Sequence, residues 1–496
     1  MTTQQVHKDP SALDAAIPIL IMVGLLVAAV QYFGDGSSYG PNQIALLLAT
    51  GVAIAIGFKN GYDWLGMEKA IVKGISISLG AVLILLAVGS LIGTWLLSGT
   101  VPTMIYYGLN ILNPSWFYAA TCLICGLVSM SIGSSWTTAA TIGVALIAVA
   151  SGLDLSAPIT AGAVISGAYF GDKISPLSET TNLAPAVAGS ELFEHIRYML
   201  WTTVPSIVTA LLLFTVLGLS EDVSSTGTKG IELNQLMTEH FDISVVNLVP
   251  LIVLLALAIK KVPAFLAVSI GAIVGAIWAV LFQQDFILSL ASDGLNTFDS
   301  NVTVVWTAFF DGVSVDTGNA NLDDLLSRGG MSSMLNTVWL IVCALTFGAV
   351  LEHLGMLKKI INGILGFAKS TGALISSTVA TCISTNIITA DQYMSIVMPG
   401  RMFKEEYERR NLHPVVLSRT LEDSGTITSP LIPWNTCGAY MASVLAVNPL
   451  EYIFYCFFNL INPVLAVVYG FLGFQIKTLA EKVKDSVTTT VNMEKK

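Results

Sequence analysis

The chain is 496 residues long, with 54% hydrophobic residues, only 11% charged residues and a formal net charge of −10. Because an ordinary soluble domain contains about 25% charged residues, a soluble protein of this composition could not cover its surface. The composition therefore predicts an all-α polytopic membrane protein with the lipid bilayer as its surroundings. The sequence has no basic patch with interleaved aromatic residues, so no nucleic-acid partner is expected.

Many apolar windows approach the roughly 20 residues that cross a hydrocarbon core as a helix. The first window exceeds the usual core of a signal peptide, and no small-residue cleavage site follows it in QYFGDG, so we expect it to be the first span. Together with interrupted segments further along the chain, the windows predict about 10–12 spans. The clearest windows are 15–33, 44–58, 74–97, 201–219, 262–282, 333–351 and 452–474.

Lysine and arginine concentrate in alternate connections, which is the pattern of cytoplasmic loops. The connections 34–40 and 98–113 have neither residue, and the long loops 220–243 and 283–334 have only Lys229 and Arg328. Both termini are therefore expected in the cytoplasm. The predicted organisation is a cytoplasmic N-tail 1–14, a first membrane repeat 15–219, an external acidic linker 220–244, a second membrane repeat 245–476 with the external loop 283–334, and a cytoplasmic C-tail 477–496.

Two polar segments repeat at a distance of about half the chain. GDKISPL begins at Gly171 and GTITSPL at Gly425, and each follows another polar break, SIGSSWTT (131–138) or STNIITAD (384–391). The lysine-free segment 98–113 corresponds to 358–369, which has three lysines, so the two repeats are predicted to be inverted.

Inverted repeats with broken helices are the design of many secondary transporters, whose substrate site lies near the midplane where the breaks meet. We therefore expect four broken segments to lie together: 131–138, 171–182, 384–391 and 423–436. The segments 114–153 and 371–403 are predicted to be re-entrant hairpins, with paired full spans as the alternative.

The breaks supply hydroxyl, amide, carboxylate and freed carbonyl oxygens, which are hard ligands of small cations. A carboxylate at the midplane holds either a proton or a metal cation, and this competition can couple their opposite movements. Cys122 and Cys125 have the spacing of a redox or metal pair, but no second cysteine pair or histidine lies nearby in the sequence. We therefore expect them to be small buried residues of a helix. No activated nucleophile or metal motif appears, so neither an enzyme nor a cofactor is expected. The carboxylates at the breaks are Asp172, Glu179, Asp391, Glu422 and Asp423.

Each carboxylate also has a structural interpretation. Asp172 could form an ion pair with its neighbour Lys173, and Glu179 could cap a half-helix. Arg419 stands three and four residues before Glu422 and Asp423, on one helix face, and could pair with them.

With these residues the sequence resembles the NhaC family of bacterial Na⁺/H⁺ antiporters. SGAYFGDKISPLSETTNLAPA carries the resemblance, supported by SIGSSWTTAATIG, STNIITADQY and GTITSPLIPWNTCGAYM, and the likeness covers nearly the whole chain. It implies extrusion of Na⁺, with Li⁺ as a further candidate ion, in exchange for H⁺ across the bacterial inner membrane. It also implies elevator-like movement and a homodimer.

The expected ion-binding and proton-coupling residues are the oxygen-bearing side chains of the four breaks. Lys173 and Arg419 are their expected charge partners. The family also includes exchangers of malate and H⁺ against Na⁺ and lactate, which is the alternative function; because both cations have acidic neighbours, cation exchange is favoured. The predicted Na⁺ site is drawn from Ser134, Thr137, Asp172, Ser175, Ser178, Glu179, Thr181, Asn182, Ser384, Asn386, Asp391, Asp423, Ser429 and Asn435.

Overall fold

The computed structural model describes residues 7–221, 234–235, 237–292, 294–315, 323 and 326–479. Within these ranges the chain forms helices and no β-strand. Nine of the described helices are long and apolar enough to cross a membrane, or ten if the bent pair Pro449–Tyr455 and Phe457–Leu472 is one span. The prediction of an all-α polytopic membrane protein is confirmed. The predicted tails lie partly outside the described residues, as do most of the linker and part of the loop 283–334.

We number the longer helices in chain order. The first ten are α1 (Ala12–Phe33), α2 (Pro41–Lys59), α3 (Trp64–Ile77), α4 (Leu79–Leu97), α5 (Thr100–Ile111), α6 (Phe117–Ile132), α7 (Ser135–Gly152), α8 (Ala157–Ile174), α9 (Glu179–Ala188) and α10 (Leu192–Leu219). The others are α11 (Val249–Ile259), α12 (Ala264–Phe282), α13 (Gln284–Leu290), α14 (Thr297–Phe310), α15 (Met331–His353), α16 (Met356–Leu365), α17 (Thr371–Thr389), α18 (Gln392–Arg409), α19 (Pro414–Leu421), α20 (Thr436–Leu445) and α21 (Phe457–Leu472).

The α12 helix illustrates how a span is divided between protein and lipid. Its Gly275 lies so close to α4 that an added Cβ would come within 2.7 Å of Trp95, whose indole N–H donates to the Gly271 carbonyl at 3.1 Å. Small residues allow such close helix packing in a membrane. The other face exposes large apolar side chains three or four residues apart, which suits contact with lipid: Leu266, Ile270, Ile273, Ile277 and Leu281.

Each of the four predicted breaks interrupts a helix, and a polar residue at the break caps the start of the next helix. The side chains of Ser134, Ser178, Asp391 and Asn435 accept a backbone N–H from the first turn of α7, α9, α18 and α20. Ser, Asp and Asn are favoured at this position because they satisfy N–H groups that have no helical partner.

Two breaks begin later than the sequence suggested. The α8 helix continues through Asp172 and Lys173 to Ile174, and α17 continues through Ser384 and Asn386 to Thr389. The fourth break is longer, because α19 passes into a π-helical turn, 422–426, and a 3₁₀ turn, 429–431, before α20 begins.

The order of elements recurs in the two halves. The series α6–break–α7, α8–break–α9 and α10 corresponds to α17–break–α18, α19–break–α20 and α21. The two series pack together, since α9 contacts α18 and α19, and α10 contacts α21. Of the helices in the two predicted hairpins, α7 and α17 are long enough for a full span, as is α6 together with the turn Pro114–Trp116 before it. The opposite orientation of the halves and the re-entrant character of the hairpins stay predictions.

Candidate functional site

A cavity of about 630 Å³ lies where the breaks meet. It is lined by the beginnings of α7, α9, α18 and α20, and by Ser78, the start of α4 and the connection between α11 and α12. Among the described lining residues are three carboxylates, Asp172, Glu179 and Asp391, and one lysine, Lys261. Acidic side chains therefore outnumber basic ones among these lining residues, which favours a cation.

The helix beginnings partly offset this negative charge. The first residues of α7, α9, α18 and α20 all line the cavity: Ser135, Glu179, Gln392 and Thr436. The N-terminus of a helix carries a partial positive charge and unpaired N–H groups, which stabilise a nearby carboxylate.

Asp172 shows this arrangement most directly. Its Oδ2 accepts the Ser135 backbone N–H at 3.0 Å and the Ser135 hydroxyl at 2.7 Å. Its Oδ1 has no hydrogen-bond partner in the described part of the chain, and the side chain is only 7% exposed. One carboxylate oxygen is thus fixed, while the other is buried without a partner in a residue that lines the cavity.

The other two carboxylates of the cavity differ in their surroundings. Asp391 caps α18 by accepting the Met394 N–H at 2.9 Å, and it accepts the Ser78 hydroxyl at 3.2 Å. Glu179 is exposed and accepts a hydrogen bond from the Tyr393 hydroxyl. Because Ser178 caps α9, the interpretation of Glu179 as the cap was wrong.

A second polar cluster is completely buried behind the cavity. Lys173 forms an ion pair with Asp423 and donates to the Asn462 amide oxygen at 2.7 Å. The Arg419 Nε lies 3.8 Å from the other oxygen of Asp423, and its guanidinium lies 4.5 Å from the centre of the Tyr198 ring. The pairing of Arg419 with Asp423 is confirmed, whereas Lys173 pairs with Asp423 and not with its neighbour Asp172.

The structure brings six of the fourteen predicted site residues to the cavity: Ser134, Thr137, Asp172, Ser178, Glu179 and Asp391. The others do not line it. Several of them satisfy backbone and side-chain groups at the breaks: the Asn386 amide donates to the Gly425 carbonyl at 2.6 Å, and the Asn435 amide donates to Asn386 Oδ1 at 3.1 Å.

The remaining members have similar supporting contacts. Thr181 donates to the Lys173 carbonyl, Asn182 to the Ser178 carbonyl, and Ser429 to the Gln392 amide oxygen. Ser175 accepts the Leu177 N–H. Ser384 lies within α17.

Sequence reasoning missed several residues that surround the three carboxylates. Ser135 directly follows the predicted site residue Ser134. Its place at the start of a helix, next to a predicted site residue, could have marked it as a further candidate. Ser78 and Lys261 come from segments outside the repeated breaks, where no motif marks them.

A polytopic helical protein with interrupted helices around a carboxylate-lined cavity has the architecture of a secondary transporter. A family model described as the Na⁺/H⁺ antiporter family matches residues 167–474. The chain therefore belongs to the Na⁺/H⁺ antiporter family, as the sequence motifs indicated.

Three curated relatives match nearly the whole chain. The Na⁺/H⁺ antiporter NhaC of Alkalihalophilus pseudofirmus is 38% identical over 93% of this chain and 97% of the relative. The malate-2H⁺/Na⁺-lactate antiporter of Bacillus subtilis is 37% identical over 93% and 95%, respectively. The arginine/ornithine antiporter ArcD of Halobacterium salinarum is 36% identical over 95% and 94%.

Proposed function

We propose that this protein exchanges Na⁺ for H⁺ across the bacterial inner membrane and extrudes Na⁺, with Li⁺ as a further candidate ion. The observation that carries the proposal is the Asp172 carboxylate, whose Oδ2 is held by Ser135 while Oδ1 has no partner in the described chain. The identity of 38% to an Na⁺/H⁺ antiporter supports it. The proposal is of a transporter rather than an enzyme, and it needs no cofactor.

In the proposed cycle, Na⁺ and H⁺ compete for Asp172 Oδ1. The nearby hydroxyls of Ser134, Thr137 and Ser178 line the same cavity and are hard oxygen donors of the kind that Na⁺ accepts. With either ion bound, the carboxylate is neutralised and the site can change the side to which it opens. Without an ion, a buried negative charge makes that step costly, which suppresses leak.

Glu179 and Asp391 are proposed to keep the cavity attractive to cations. Asp391 accepts the hydroxyl of Ser78, which precedes α4, so this hydrogen bond would break if α4 and α18 moved relative to each other. We assign Lys173 and Arg419 the role of charge partners, since both lie at Asp423. The remaining predicted residues are proposed to hold the breaks in shape: Ser175, Thr181, Asn182, Ser384, Asn386, Ser429 and Asn435.

The orientation and assembly belong to the same proposal. The concentration of lysine and arginine in alternate connections supports cytoplasmic termini. The homodimer rests on the resemblance to the family.

Exchange of malate and H⁺ against Na⁺ and lactate is the second candidate function. The cavity of about 630 Å³ is much larger than a single Na⁺, and four helix beginnings face it, which would suit an organic anion. The three carboxylates around a single lysine oppose an anionic substrate. We therefore rank this function second.

The test is Na⁺-induced proton movement in proteoliposomes that contain the purified protein and a pH-sensitive dye. An imposed Na⁺ gradient is expected to move protons in the absence of any organic acid. Proton movement that strictly requires malate or lactate would reject Na⁺/H⁺ exchange and establish the second candidate.

A further inference from the structure

Glu422 lies directly behind the cavity and is not part of the site assigned above. It stands in the π-helical turn after α19 and is completely buried. Its Oε1 accepts a hydrogen bond from the Thr180 hydroxyl at 3.0 Å. Thr180 lines the cavity, so a single hydroxyl separates Glu422 from the space that the ions enter.

The hydroxyl chain continues towards Asp172. The Ser178 hydroxyl lies 3.2 Å from the Thr180 hydroxyl, and it stands next to the Asp172 carboxylate. The side chains of Asp172, Ser178, Thr180 and Glu422 thus form a row in which two hydroxyl groups separate two buried carboxyl groups.

The second oxygen of Glu422 has no fixed hydrogen-bond partner in the described part of the chain. Within the described residues, Oε2 has no hydrogen-bond partner, and neither has the hydroxyl of Thr426 beside it in the same turn. The Thr426 hydroxyl can donate to an ionised Glu422 or accept from a protonated one, so no fixed partner holds Oε2 in a single charge state. Because a permanently satisfied group would have partners for all its polar atoms, this arrangement suits a group that changes state.

The charges around Glu422 permit both states. Lys173 is already paired with Asp423, so it does not need Glu422 as a partner. On α9, Glu179 points away and contacts Tyr393. The charged side chains that act on Glu422 include Asp172 and Lys173 on α8, and Asp423 follows it in the same turn.

We propose that Glu422 is a proton-carrying residue of the exchanger and that the Thr180 hydroxyl connects it to the cavity. The Thr180 proton passes to Glu422 Oε1, Thr180 takes the Ser178 proton, and Ser178 takes a proton from Asp172 or from water in the cavity. Both hydroxyls are restored, and one proton has moved from that donor to Glu422. This inference rests on the proposed Na⁺/H⁺ exchange and adds a path by which the proton that competes with Na⁺ at Asp172 reaches a second carboxyl group.

The test compares two reactions of the full-length protein in proteoliposomes. Na⁺/H⁺ exchange needs the proton path, whereas exchange of ²²Na⁺ for unlabelled Na⁺ does not. Glu422→Gln is expected to slow Na⁺/H⁺ exchange about tenfold or more and to change its pH profile, while Na⁺/Na⁺ exchange continues close to the parent rate. The control Glu352→Gln alters a carboxylate at the end of α15, outside the cluster, and should leave both reactions unchanged.

The hydroxyl provides a second test that does not depend on how well Glu422→Gln folds. Thr180→Val keeps the side-chain shape and removes the hydroxyl, so it should slow Na⁺/H⁺ exchange, whereas Thr180→Ser should retain it. Equal Na⁺/H⁺ exchange in these two variants would overturn the relay.

Three other results would also count against the inference. An unchanged rate and pH profile in Glu422→Gln would reject it and leave the proposed function intact. Equal loss of both reactions would make Glu422 a structural or Na⁺-binding residue. A parent protein that moves no protons in response to Na⁺ would reject the proposed function together with this inference.

Discussion

Lys173 at the end of α8 forms a completely buried ion pair with Asp423, which lies 250 residues further along the chain. The pair joins the two series of broken helices directly behind the cavity. Arg419 approaches the other oxygen of the same carboxylate, so one aspartate balances two cations.

This geometry predicts an unequal effect of removing the partners. Asp423→Asn leaves both cations without their carboxylate and should destabilise the protein by about 3–5 kcal/mol or more, because uncompensated buried charge is costly. Lys173→Met leaves Asp423 with Arg419 and should destabilise it less. Thermal unfolding of the purified protein in detergent measures both changes.

A surface pair provides the matched control. Arg409 is 75% exposed beside Glu406, which also pairs with Arg410, so Arg409→Met should leave the unfolding temperature close to that of the parent. Asp423→Asn with a stability equal to this control would show that the buried pair does not hold the two series together.

Ser135 is predicted to set the balance between Na⁺ and H⁺ at Asp172. Ser135→Ala removes the hydroxyl that donates to Oδ2 at 2.7 Å and leaves the backbone N–H in place. The ionised carboxylate loses a donor, so Na⁺ should compete less well with the proton. We expect the KM for Na⁺ to rise roughly tenfold, since a hydrogen bond to a charged group contributes about 1.5–3 kcal/mol.

The pH profile checks the direction of this effect. If the proton competes better in Ser135→Ala, exchange at a fixed Na⁺ concentration should shift to higher pH. Ser131→Ala is the control, because the Ser131 hydroxyl donates to the Leu127 carbonyl on α6 and is exposed. A parent-like KM and pH profile in Ser135→Ala would remove Ser135 from the mechanism.

The contact between α6 and α8 is predicted to tolerate no side chain at Gly167. A Cβ there would lie 2.0 Å from the Cys122 carbonyl oxygen, and a backbone atom cannot move aside cheaply. Gly167→Ala should therefore destabilise the protein by roughly 1–3 kcal/mol or more. Gly51 lies within α2 with open space around its Cβ position, so Gly51→Ala should be neutral or slightly stabilising. Equal unfolding temperatures for the two variants would contradict this packing.

The positions of the breaks could be predicted because their signals are local. Glycine and polar residues stand at the breaks themselves, and Ser134, Ser178, Asp391 and Asn435 cap the helices that follow. The apolar windows likewise predicted the spans, because hydropathy is a property of each segment alone.

The pairing of side chains across the fold could not be predicted in the same way. Asp172 is held by Ser135 from another helix, and its neighbour in sequence, Lys173, points to Asp423 instead. Successive residues of a helix lie about 100° apart around its axis, so neighbouring charges reach different surroundings. Ser78 reached the site only through the packing of segments distant in sequence.

Competition of Na⁺ and H⁺ at Asp172 is tested most directly by Na⁺-driven proton movement in proteoliposomes that contain the Asp172→Asn variant. The amide cannot exchange a proton for Na⁺, so the account predicts that pH-dependent exchange is abolished while the protein remains folded. Asp299→Asn, at an exposed aspartate in the first turn of α14, should exchange like the parent. Normal Na⁺/H⁺ exchange in Asp172→Asn would contradict the account.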